Sequence, residues 1–320
     1  MSRSSEGGVR VHPMRVLAVV NPAAGGPGAE FVAVLAAAGV DLEVVHTAGP
    51  GDGTRCTADA VAAAPPDVVV SVGGDGTAGE VARGLAQAGP AAPPLLIAPA
   101  GTGNSNFRGL WDDRPWPEVV DSVFGARRYA VRPMDLLHLA ELDTATLLGV
   151  SAGMIPECLE VARTLPATGR ERLFAAAVQV LAGYTPYPTR VTVDGRVLCE
   201  CPAMLVVVGG VRYRGGMLKL LPDSVLDDGL LDVCVVDARV PQQEFGLAAL
   251  SGTLTSLDGV HYGRGRDIGL QRLDGAPMKL EHDGELETGP YTGYHVSALP
   301  GPFAVVVPDP VPACFAGATH

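Results

Sequence analysis

The chain has 320 residues, 47% of them hydrophobic and 18% charged, which is enough apolar material for one large domain or two of ordinary size. Its 23 basic and 35 acidic residues give a net charge of −12, which argues against a general nucleic-acid binder because phosphate contacts need a basic surface. No apolar run of the sequence reaches the roughly 18–20 residues of a membrane-spanning helix, and residues 1–13 lack the apolar core of a signal peptide. We therefore expect a cytoplasmic protein.

The lysine positions exclude a P-loop, and the cysteine positions argue against a disulfide scaffold and a zinc site. The only two lysines, Lys219 and Lys279, lie outside any P-loop motif. The six cysteines are too sparse for a disulfide scaffold in a chain of this length. Cys199 and Cys201 form a single C-x-C motif without a second pair, so we interpret the cysteines as reduced thiols rather than as a zinc site.

The first part of the chain alternates short apolar runs with helical patterns. The apolar runs predict strands at 15–20, 40–46, 67–72 and 94–98. Helical spacing predicts helices at 29–38 and 55–64, and a further one that ends near Ala88. Strands that alternate with helices of this length predict a parallel α/β sheet.

The pattern changes after about Arg128. Strand-like runs separated by Gly, Asp and Pro lie at 131–140, 144–151, 189–193, 203–208, 230–236, 278–281 and 303–307. One clear helical pattern remains, at 169–182, and the tail after Pro308 looks loose. These features predict a second domain that is mostly antiparallel β.

Glycine-rich turns follow predicted strands at 21–26 (NPAAGG), 73–77 (GGDGT) and 101–104 (GTGN). In a parallel sheet such turns lie at the carboxyl edge of the strands, where ligands bind. Glycine lets the backbone approach a ligand closely, and free amides at helix N-termini attract phosphate. Asp75 can hold a metal or a water, and Thr77 and Thr102 add hydroxyl donors. A single turn of this kind would be unremarkable, but three in succession predict a phosphate-containing ligand.

Further motifs follow in the second half: Gly215-Gly216, LDDGLL at 226–231 and Asp283-Gly284-Glu285. Together with NPAAGG, GGDGT and PAGTGN, they resemble the catalytic domain of the diacylglycerol kinase and sphingosine kinase lipid-kinase family. The resemblance extends over about residues 14–308 and is greatest with the soluble bacterial diacylglycerol kinases. GGDGT alone is shared with NAD kinases and phosphofructokinases, so the ordered set carries the specificity.

This resemblance implies an α/β N-terminal domain with a Rossmann-like parallel sheet, as in NAD kinases and diacylglycerol kinases, and a C-terminal antiparallel β-sandwich domain. We place a nucleotide-binding catalytic domain at 14–130 and a domain for the lipid substrate and a structural metal at 131–308, whose last strand could return to the first domain. The resemblance further implies an ATP- and Mg²⁺-dependent lipid kinase, with diacylglycerol as the leading acceptor and phosphatidate as product.

The resemblance also assigns residues to the nucleotide and to catalysis. The positions that match the family around ATP are Asn21, Thr47, Gly73, Gly74, Gly76, Thr77, Thr102 and Asn104. Glu285 matches the proposed general base that takes the proton from the lipid hydroxyl, and Asp75 remains for the catalytic metal. Arg108 falls where the family often has Arg. Without the resemblance, the Asp-Gly pairs of these motifs would be interpreted as plain turns.

A structural Mg²⁺ site is implied at Asp228, with two backbone carbonyls at Val225 and Leu230. Asp135 matches the residue that links this site to the active site through water. One departure concerns the residue after Asn104, where many relatives have Asp and this chain has Ser105. An uncharged hydroxyl holds Mg²⁺ less firmly than a carboxylate, so the ligand set of the catalytic metal stays open.

Rival functions also stay open. NAD kinases share GGDGT and a two-domain layout, but the Asn-Glu pair that would hold the ribose is not found. The run 149–153 (GVSAG) matches the G-x-S-x-G elbow of serine hydrolases, although Pro156 and β-rich surroundings argue against the helix that this elbow needs. A silent nucleotide-binding regulator would explain Ser105, whereas Asp75 and Glu285 argue against it. The acceptor could also be a sphingoid base, ceramide, phosphatidylglycerol or a polyketide-like alcohol.

We expect the protein to meet its lipid substrate by peripheral contact at the inner face of the membrane, without broad attraction to acidic lipids. Arg170 and Arg172, beside Leu173 and Phe174, suggest that the 169–182 helix touches the bilayer or covers acyl chains. A helix that packs between domains and keeps its arginines in solvent is the alternative. A homodimer could form through exposed strand edges, and we expect no nucleic-acid partner.

Overall fold

The first domain is a parallel sheet with helices between its strands. The computed structural model describes residues 12–317. Most of residues 1–13, for which the sequence predicts no signal peptide, therefore lies outside the described residues. The strands are β1 (Arg15–Val20), β2 (Asp41–His46), β3 (Val68–Gly73) and β4 (Leu95–Pro99). The helices are α1 (Gly28–Ala37), α2 (Asp52–Ala63), α3 (Asp75–Ala88), α4 (Ser105–Trp111) and α5 (Trp116–Val120).

The parallel strands follow the order β2–β1–β3–β4, which places the turns after them at one edge of the sheet. Every residue of β3 is buried, as expected for a strand of a parallel sheet covered on both faces. Leu17, Leu95 and Leu96 join Phe31 and Leu35 of α1 in one core. The predicted α/β domain is therefore confirmed.

The second domain is antiparallel. Its strands are β5 (Ala130–Leu139), β6 (Thr144–Thr146), β7 (Val150–Gly153), β8 (Tyr187–Val193), β9 (Arg196–Gly209), β10 (Tyr213–Arg214), β11 (Leu218–Lys219), β12 (Leu231–Asp237), β13 (Val260–Gly265), β14 (Asp267–Arg272), β15 (Leu280–His282), β16 (Glu285–Glu287) and β17 (Gly293–Val307). Its helices are α6 (Met154–Thr164), α7 (Gly169–Gly183) and α8 (Gln242–Ser251). The predicted antiparallel β-sandwich is confirmed.

Strand β9 divides the apolar interior of this domain into two layers. Val206 and Val208 face a core formed between strands. Leu205 and Val207 face a second core, which includes residues of α6, α7 and α8. This alternation is the period of two that a strand imposes on its side chains.

Strand β17 belongs to both domains. Its first half pairs with β14, and Val305 near its end pairs in parallel with Leu95 of β4. It also pairs with β5 along both halves, with an irregularity between Leu299 and Phe303. The end of the chain therefore returns to the sheet of the first domain.

Two helices of the second domain were not predicted. The predicted helix at 169–182 matches α7, but α6 and α8 lie where only strands and turns were expected. Pro156 lies in the first turn of α6 and Pro241 directly before α8, where a missing N–H costs no helical hydrogen bond. Pro156, which was taken as an argument against a helix, therefore lies at a position that suits a helix start.

The predicted strand at 144–151 is divided. It ends as β6 at Thr146 and resumes as β7 at Val150, because Gly149 adopts a positive φ of 118°. The argument against a serine-hydrolase elbow was also wrong in part, since α6 follows β7 directly. Ser151 itself is fully buried inside β7, opposite Glu281 of β15, so its hydroxyl is closed to a substrate.

Between residues 12 and 317, none of the helices combines the length and the apolar character that crossing a lipid bilayer requires.

Candidate active site

The three glycine-rich turns of the first domain meet at the carboxyl edge of its sheet. The backbone N–H of Asn21 donates to the carbonyl of Val72 at 2.9 Å, and its side-chain amide donates to the Thr77 hydroxyl at 3.2 Å. The N–H of Gly26 donates to the carbonyl of Ala100 at 2.9 Å. The turns after β1, β3 and β4 therefore form one continuous surface beside the start of α3.

Glycine is required where these turns pack backbone against backbone. A Cβ atom on Gly101 would overlap the Cα atom of Gly74, and one on Gly73 would overlap the Thr77 side chain. The first N–H groups of a helix have no partner within the helix and point out of its end. Small residues at the start of α3 therefore leave these donors open to an anion.

Asp75, the first residue of α3, is held by the start of α4. Its carboxylate accepts the backbone N–H of Ser105 at 3.0 Å and that of Asn106 at 2.9 Å. The side-chain amide of Asn106 donates a third hydrogen bond at 3.0 Å. These three hydrogen bonds fix the Asp75 carboxylate in position against the start of α4.

Asn104 shapes the turn between β4 and α4. Its side-chain oxygen accepts the N–H of Gly101 at 2.8 Å, and its amide donates to the carbonyls of Gly101 at 2.9 Å and Pro99 at 3.3 Å. Its own backbone is left-handed, with φ 57°, which Asn tolerates better than most residues. Asn104 was predicted to bind the cofactor, and in the structure its side chain is used within the turn.

Ser105 connects the two domains. Its buried hydroxyl accepts the N–H of Gly216 at 3.0 Å. A Cβ atom on Gly216 would overlap the carbonyl of Gly103, and the φ of Gly216 is 73°, so glycine is required there too. The Arg108 guanidinium donates to the carbonyl of Gly216 and lies 5.0 Å from the centre of the Tyr213 ring. The glycine pair of the second domain thus closes over the turn at 101–105.

The two remaining threonines of the predicted site lie on either side of it. Thr47 is buried just after β2, where its backbone N–H donates to the carbonyl of Val20 at 2.8 Å. Thr102 is partly exposed, and its carbonyl accepts the Nε–H of Arg170 at 3.4 Å. The start of α7 therefore reaches the rim of the cleft.

The Asp283-Gly284-Glu285 motif is the tip of the β15–β16 hairpin. Asp283 and Gly284 have φ values of 48° and 86°, the pattern of a two-residue hairpin turn with positive φ at both positions. The backbone oxygen of Asp283 lies 3.2 Å from where a Cβ atom of Gly76 would be. Exposed Glu285 follows directly, so the hairpin brings it beside the GGDGT turn of the other domain.

The buried side chain of Asp283 holds this hairpin in position. Its buried carboxylate accepts the N–H groups of Leu147 at 3.1 Å and Leu148 at 2.7 Å, and lies 3.4 Å from the Arg83 guanidinium of α3. Burial raises the pKa of Asp283, and Arg83 and the two N–H groups oppose that increase. The side chain therefore ties the hairpin to both domains. This function is not visible in the sequence, because Asp-Gly is a common turn pair.

Two buried charged side chains, Glu281 and Arg214, lie behind the hairpin. The Glu281 carboxylate accepts the N–H of Gly284 at 2.8 Å, and burial raises the pKa of Glu281 while Arg214 opposes the increase. The Arg214 guanidinium is buried and donates to the carbonyls of Val208, Val211 and Tyr213 at 3.0–3.3 Å. The positions of Glu281 and Arg214 in the site were not predicted, because no local sequence pattern indicates that a charged residue is buried.

Comparison with known proteins covers both domains. Residues 15–139 match the diacylglycerol kinase catalytic domain. Residues 149–307 match the YegS C-terminal NAD kinase beta sandwich-like domain. This chain therefore carries the two domains of diacylglycerol kinase-like proteins. The family resemblance predicted from the ordered motifs is thereby confirmed.

Individual relatives agree with these domain matches. A protein of Xanthomonas oryzae pv. oryzae (strain MAFF 311018), named "Probable lipid kinase YegS-like", is 32% identical over 111 residues, which cover 33% of this chain and 34% of that protein. The match thus spans about a third of the length of this curated relative. A diacylglycerol kinase from Bacillus anthracis str. Sterne has a TM-score of 0.68 at 24% identity, covering 93% of this chain and 98% of that chain. A second structure from this strain, described as a candidate diacylglycerol kinase, has a TM-score of 0.70 at 25% identity, covering 93% and 99% of the two chains.

The structural-metal residues that the diacylglycerol kinase-like family implies lie together between the two halves of β17. The Asp135 carboxylate accepts the N–H groups of Gly229 and Gly301, each at 2.7 Å. Burial raises the pKa of Asp135, those two N–H groups lower it, and the neighbouring Asp228 adds to the increase. Asp135 is thus tied by direct hydrogen bonds to the turn that holds the predicted Mg²⁺ ligands.

Asp228, the predicted metal ligand, forms an ion pair with the guanidinium group of Arg264. One carboxylate oxygen of Asp228 accepts the N–H of Leu230 at 3.1 Å, and the other pairs with Arg264. Oxygen donors at Asp228 and at the carbonyls of Val225 and Leu230 are the ligand type that Mg²⁺ prefers. With Arg264 in this position the carboxylate is already neutralised, so the arrangement does not fit an ion as it stands. The structural magnesium site stays a prediction.

Proposed function

We propose that this protein is an ATP- and Mg²⁺-dependent kinase that phosphorylates a lipid hydroxyl, with diacylglycerol as the leading acceptor and phosphatidate as product. The observation that carries the proposal is the contact between the Asp283-Gly284 turn and Gly76 at the start of α3. It sets the candidate base, Glu285, beside the candidate phosphate-binding turn, although the two belong to different domains.

The nucleotide phosphates would bind at the start of α3. Free N–H groups there, with the Asn21 amide and the Thr77 hydroxyl nearby, offer hydrogen-bond donors without a lysine. Thr47 and Thr102 lie at the rim of the same sheet edge and would contact the remainder of the nucleotide. This arrangement agrees with a chain that has no P-loop motif.

Asp75 fits a Mg²⁺ ion held between protein and phosphate. Its carboxylate accepts three N–H groups from α4, and an ionised carboxylate offers about four lone-pair sites. Mg²⁺ is commonly bound by one or two carboxylates with phosphate oxygens and water. When bound, the ion would neutralise charge on the transferring phosphoryl group. Ser105 would not contribute, because its hydroxyl is buried against Gly216.

Glu285 would act as the general base. The lipid hydroxyl oxygen attacks the γ-phosphorus, the bond from that phosphorus to the bridging oxygen of ADP breaks, and the hydroxyl proton passes to the Glu285 carboxylate. Phosphoryl transfer depends mainly on positioning and charge neutralisation. The turn contact at Gly76 and the anchored Asp283 would provide that positioning.

The lipid would be reached through α7. Phe174 and Val178 lie four residues apart on this helix, on one face, with exposed fractions of 68% and 54%. Arg170 at the start of the same helix contacts Thr102 at the cleft. We therefore infer that this face touches the membrane from which the acceptor comes, as a peripheral contact at its cytoplasmic side. A homodimer stays a prediction.

The test is a phosphotransfer assay with γ-labelled ATP and Mg²⁺. The acceptors are diacylglycerol, a sphingoid base, ceramide and phosphatidylglycerol in mixed micelles, with NAD and water alone as further arms. Label in diacylglycerol, lost in Glu285→Gln, supports the proposal, and label in another lipid keeps the kinase but changes its acceptor. Label in NAD would identify an NAD kinase. ATP binding without transfer to any acceptor would favour a silent regulator.

A further inference from the structure

Three potential soft-metal ligands converge in the second domain, away from the nucleotide cleft. Cys199 and Cys201 are two residues apart on β9 and so share one face of the strand. His261 lies on β13. The two Sγ atoms and a ring nitrogen of His261 all lie within 4.8 Å of one another. The histidine is 60 positions from Cys201 in the sequence, so the motif alone could not reveal it.

The sheet brings His261 to the cysteines by folding back. The first half of β9 pairs with β8, and its second half pairs with β12, which in turn pairs with β13. Strand β13 then packs against the first half of β9, where the Leu198 side chain lies 3.3 Å from where a Cβ atom of Gly263 would be. The three ligands are thus held by backbone hydrogen bonding rather than by a flexible loop.

One polar atom of this cluster stands out by its surroundings. The Nε2 atom of His261 is buried and has no hydrogen-bond partner among residues 12–317, which is costly for a ring nitrogen. The other two ligand atoms are the Sγ atoms of Cys199 and Cys201, which lie within 4.8 Å of each other and of the ring nitrogen. The nearby Asp237 carboxylate is held by Arg239, through its backbone N–H at 2.8 Å and its Nε–H at 3.1 Å. An imidazole nitrogen and two sulfur atoms are therefore the groups left to bind an ion.

We propose that Cys199, Cys201 and His261 form a Zn²⁺ site that joins β9 to β13. Thiolate and imidazole suit Zn²⁺ and disfavour the Mg²⁺ expected at the cleft. Zn–S and Zn–N bonds of about 2.3 and 2.0 Å place tetrahedral ligands roughly 3.5–4 Å apart, so small side-chain rotations would complete the site. Binding releases the two thiol protons, and water takes the fourth position.

The site lies apart from the catalytic end of the same strand. Gly209, which packs against Arg214 behind the hairpin, lies eight positions after Cys201 on β9. At about 3.3 Å per residue this is roughly 25 Å along the strand. The ion would stabilise the fold of the second domain, and its binding is independent of whether the protein is a kinase.

The experiment measures metal in the full-length protein. Protein purified with Zn²⁺ and freed of loose metal should hold about one equivalent, and Co²⁺ in its place should give thiolate charge-transfer bands. Cys199→Ser, Cys201→Ser and His261→Gln should each lose most of the metal and weaken those bands. Cys56→Ser, which changes a thiol outside the cluster, should keep both.

Stability and thiol counts separate the remaining outcomes. A chelator should lower the Tm of the wild type and of Cys56→Ser, but not that of His261→Gln. The histidine variant keeps all cysteines, so it tests the proposal even if a cysteine variant fails to fold. Metal content unchanged in all three cluster variants would overturn the proposal. The chain has six cysteines. Only four free thiols in the unreduced, denatured wild type, and five in Cys199→Ser, would overturn the proposal in favour of a Cys199–Cys201 disulfide.

Discussion

Asp75 and Asn106 form a two-point contact in which the carboxylate accepts both the backbone N–H and the side-chain amide of the asparagine, at 2.9 and 3.0 Å. The contact ties the GGDGT turn after β3 to the helix that follows β4. It also explains how a serine can follow Asn104. Ser105 contributes its backbone N–H to Asp75 and its hydroxyl to the closure of the Gly215-Gly216 turn.

Asp75→Asn should abolish most phosphotransfer while leaving the fold intact. The asparagine side chain cannot carry the negative charge that Mg²⁺ requires. Its NH₂ group, itself a hydrogen-bond donor, would also face N–H donors of α4. We expect kcat/KM to fall by about 10²–10³-fold, with a higher Mg²⁺ concentration needed for half-maximal rate. Asp59→Asn, at an exposed carboxylate that pairs with Arg55, is the control. An unchanged Mg²⁺ dependence in Asp75→Asn would remove Asp75 from the metal site.

Glu285→Gln should lower kcat and leave the KM for ATP nearly unchanged. The substitution keeps the size of the side chain but removes its capacity to accept a proton, which is worth about 10²–10⁴-fold in general base catalysis. Glu287→Gln is a matched control, because Glu287 lies on the same strand and its amide replacement can still accept the Gly289 N–H. Loss of ATP affinity with kcat retained would instead make Glu285 a nucleotide contact.

The sequence predicts the strands and the first three helices of the first domain well because each signal there is local, whereas α4 and α5 were not predicted. The buried strands are continuous apolar runs, and glycine residues indicate the turns after β1, β3 and β4. The missed helices α6 and α8 show the limit of this reasoning. Their prolines are acceptable only because they lie at a helix start, which a pattern of residue types does not reveal.

The candidate site is less visible in the sequence, because half of it consists of contacts between distant segments. The GGDGT and DGE motifs are recognisable, but their contact depends on Asp283, whose carboxylate is bound by Leu147 and Leu148 from another part of the chain. The buried Arg214 has no local signature, and neither has His261 beside Cys199. Such residues become apparent only when the fold sets them side by side.

Gly101→Ala should disrupt nucleotide binding without altering any side chain that touches the ligand. The added methyl group would overlap the Cα atom of Gly74, so the turns after β3 and β4 would have to separate. We expect at least about tenfold weaker ATP binding by calorimetry, because the backbone donors at the start of α3 lose their positions. Gly246→Ala, on α8 with open space around it, is the control and should bind ATP normally. Normal binding by Gly101→Ala would show that these turns can move apart at little cost.

Phe174→Ser combined with Val178→Ser should weaken binding to lipid vesicles. Full burial of each of these side chains is worth about 1.5–3 kcal/mol, so even partial insertion of both gives a loss of at least about tenfold in vesicle affinity. Flotation with phosphatidylglycerol-containing vesicles measures it. Val197→Ser, at an exposed valine of β9, should float like the wild type. Equal flotation of the double variant would assign this face of α7 to solvent or to another protein.

The stability of the second domain should depend on pH through Asp232. This carboxylate is fully buried in β12, where it accepts the Tyr262 hydroxyl at 2.7 Å and forms an ion pair with the Arg264 guanidinium, whose Nε atom lies 3.1 Å away. Burial raises the pKa of Asp232 to about 6, the contacts with Tyr262 and Arg264 oppose this, and the charges of Asp228 and Asp223 add to it.

Because an unfolded aspartate titrates near pH 4, the folded protein binds this proton more tightly than the unfolded chain does. The contribution to the free energy of unfolding is therefore complete below about pH 4 and is lost as the pH rises through about 6. Asp232→Asn cannot titrate, but its amide oxygen can still accept the Tyr262 hydroxyl. Between about pH 4 and 7, the free energy of unfolding should fall by about 2 kcal/mol more in the wild type than in this variant. Urea unfolding at several pH values measures the difference, with Asp267→Asn as an exposed control that should follow the wild type. Parallel curves for the wild type and Asp232→Asn would mean that Arg264 keeps Asp232 ionised throughout this range.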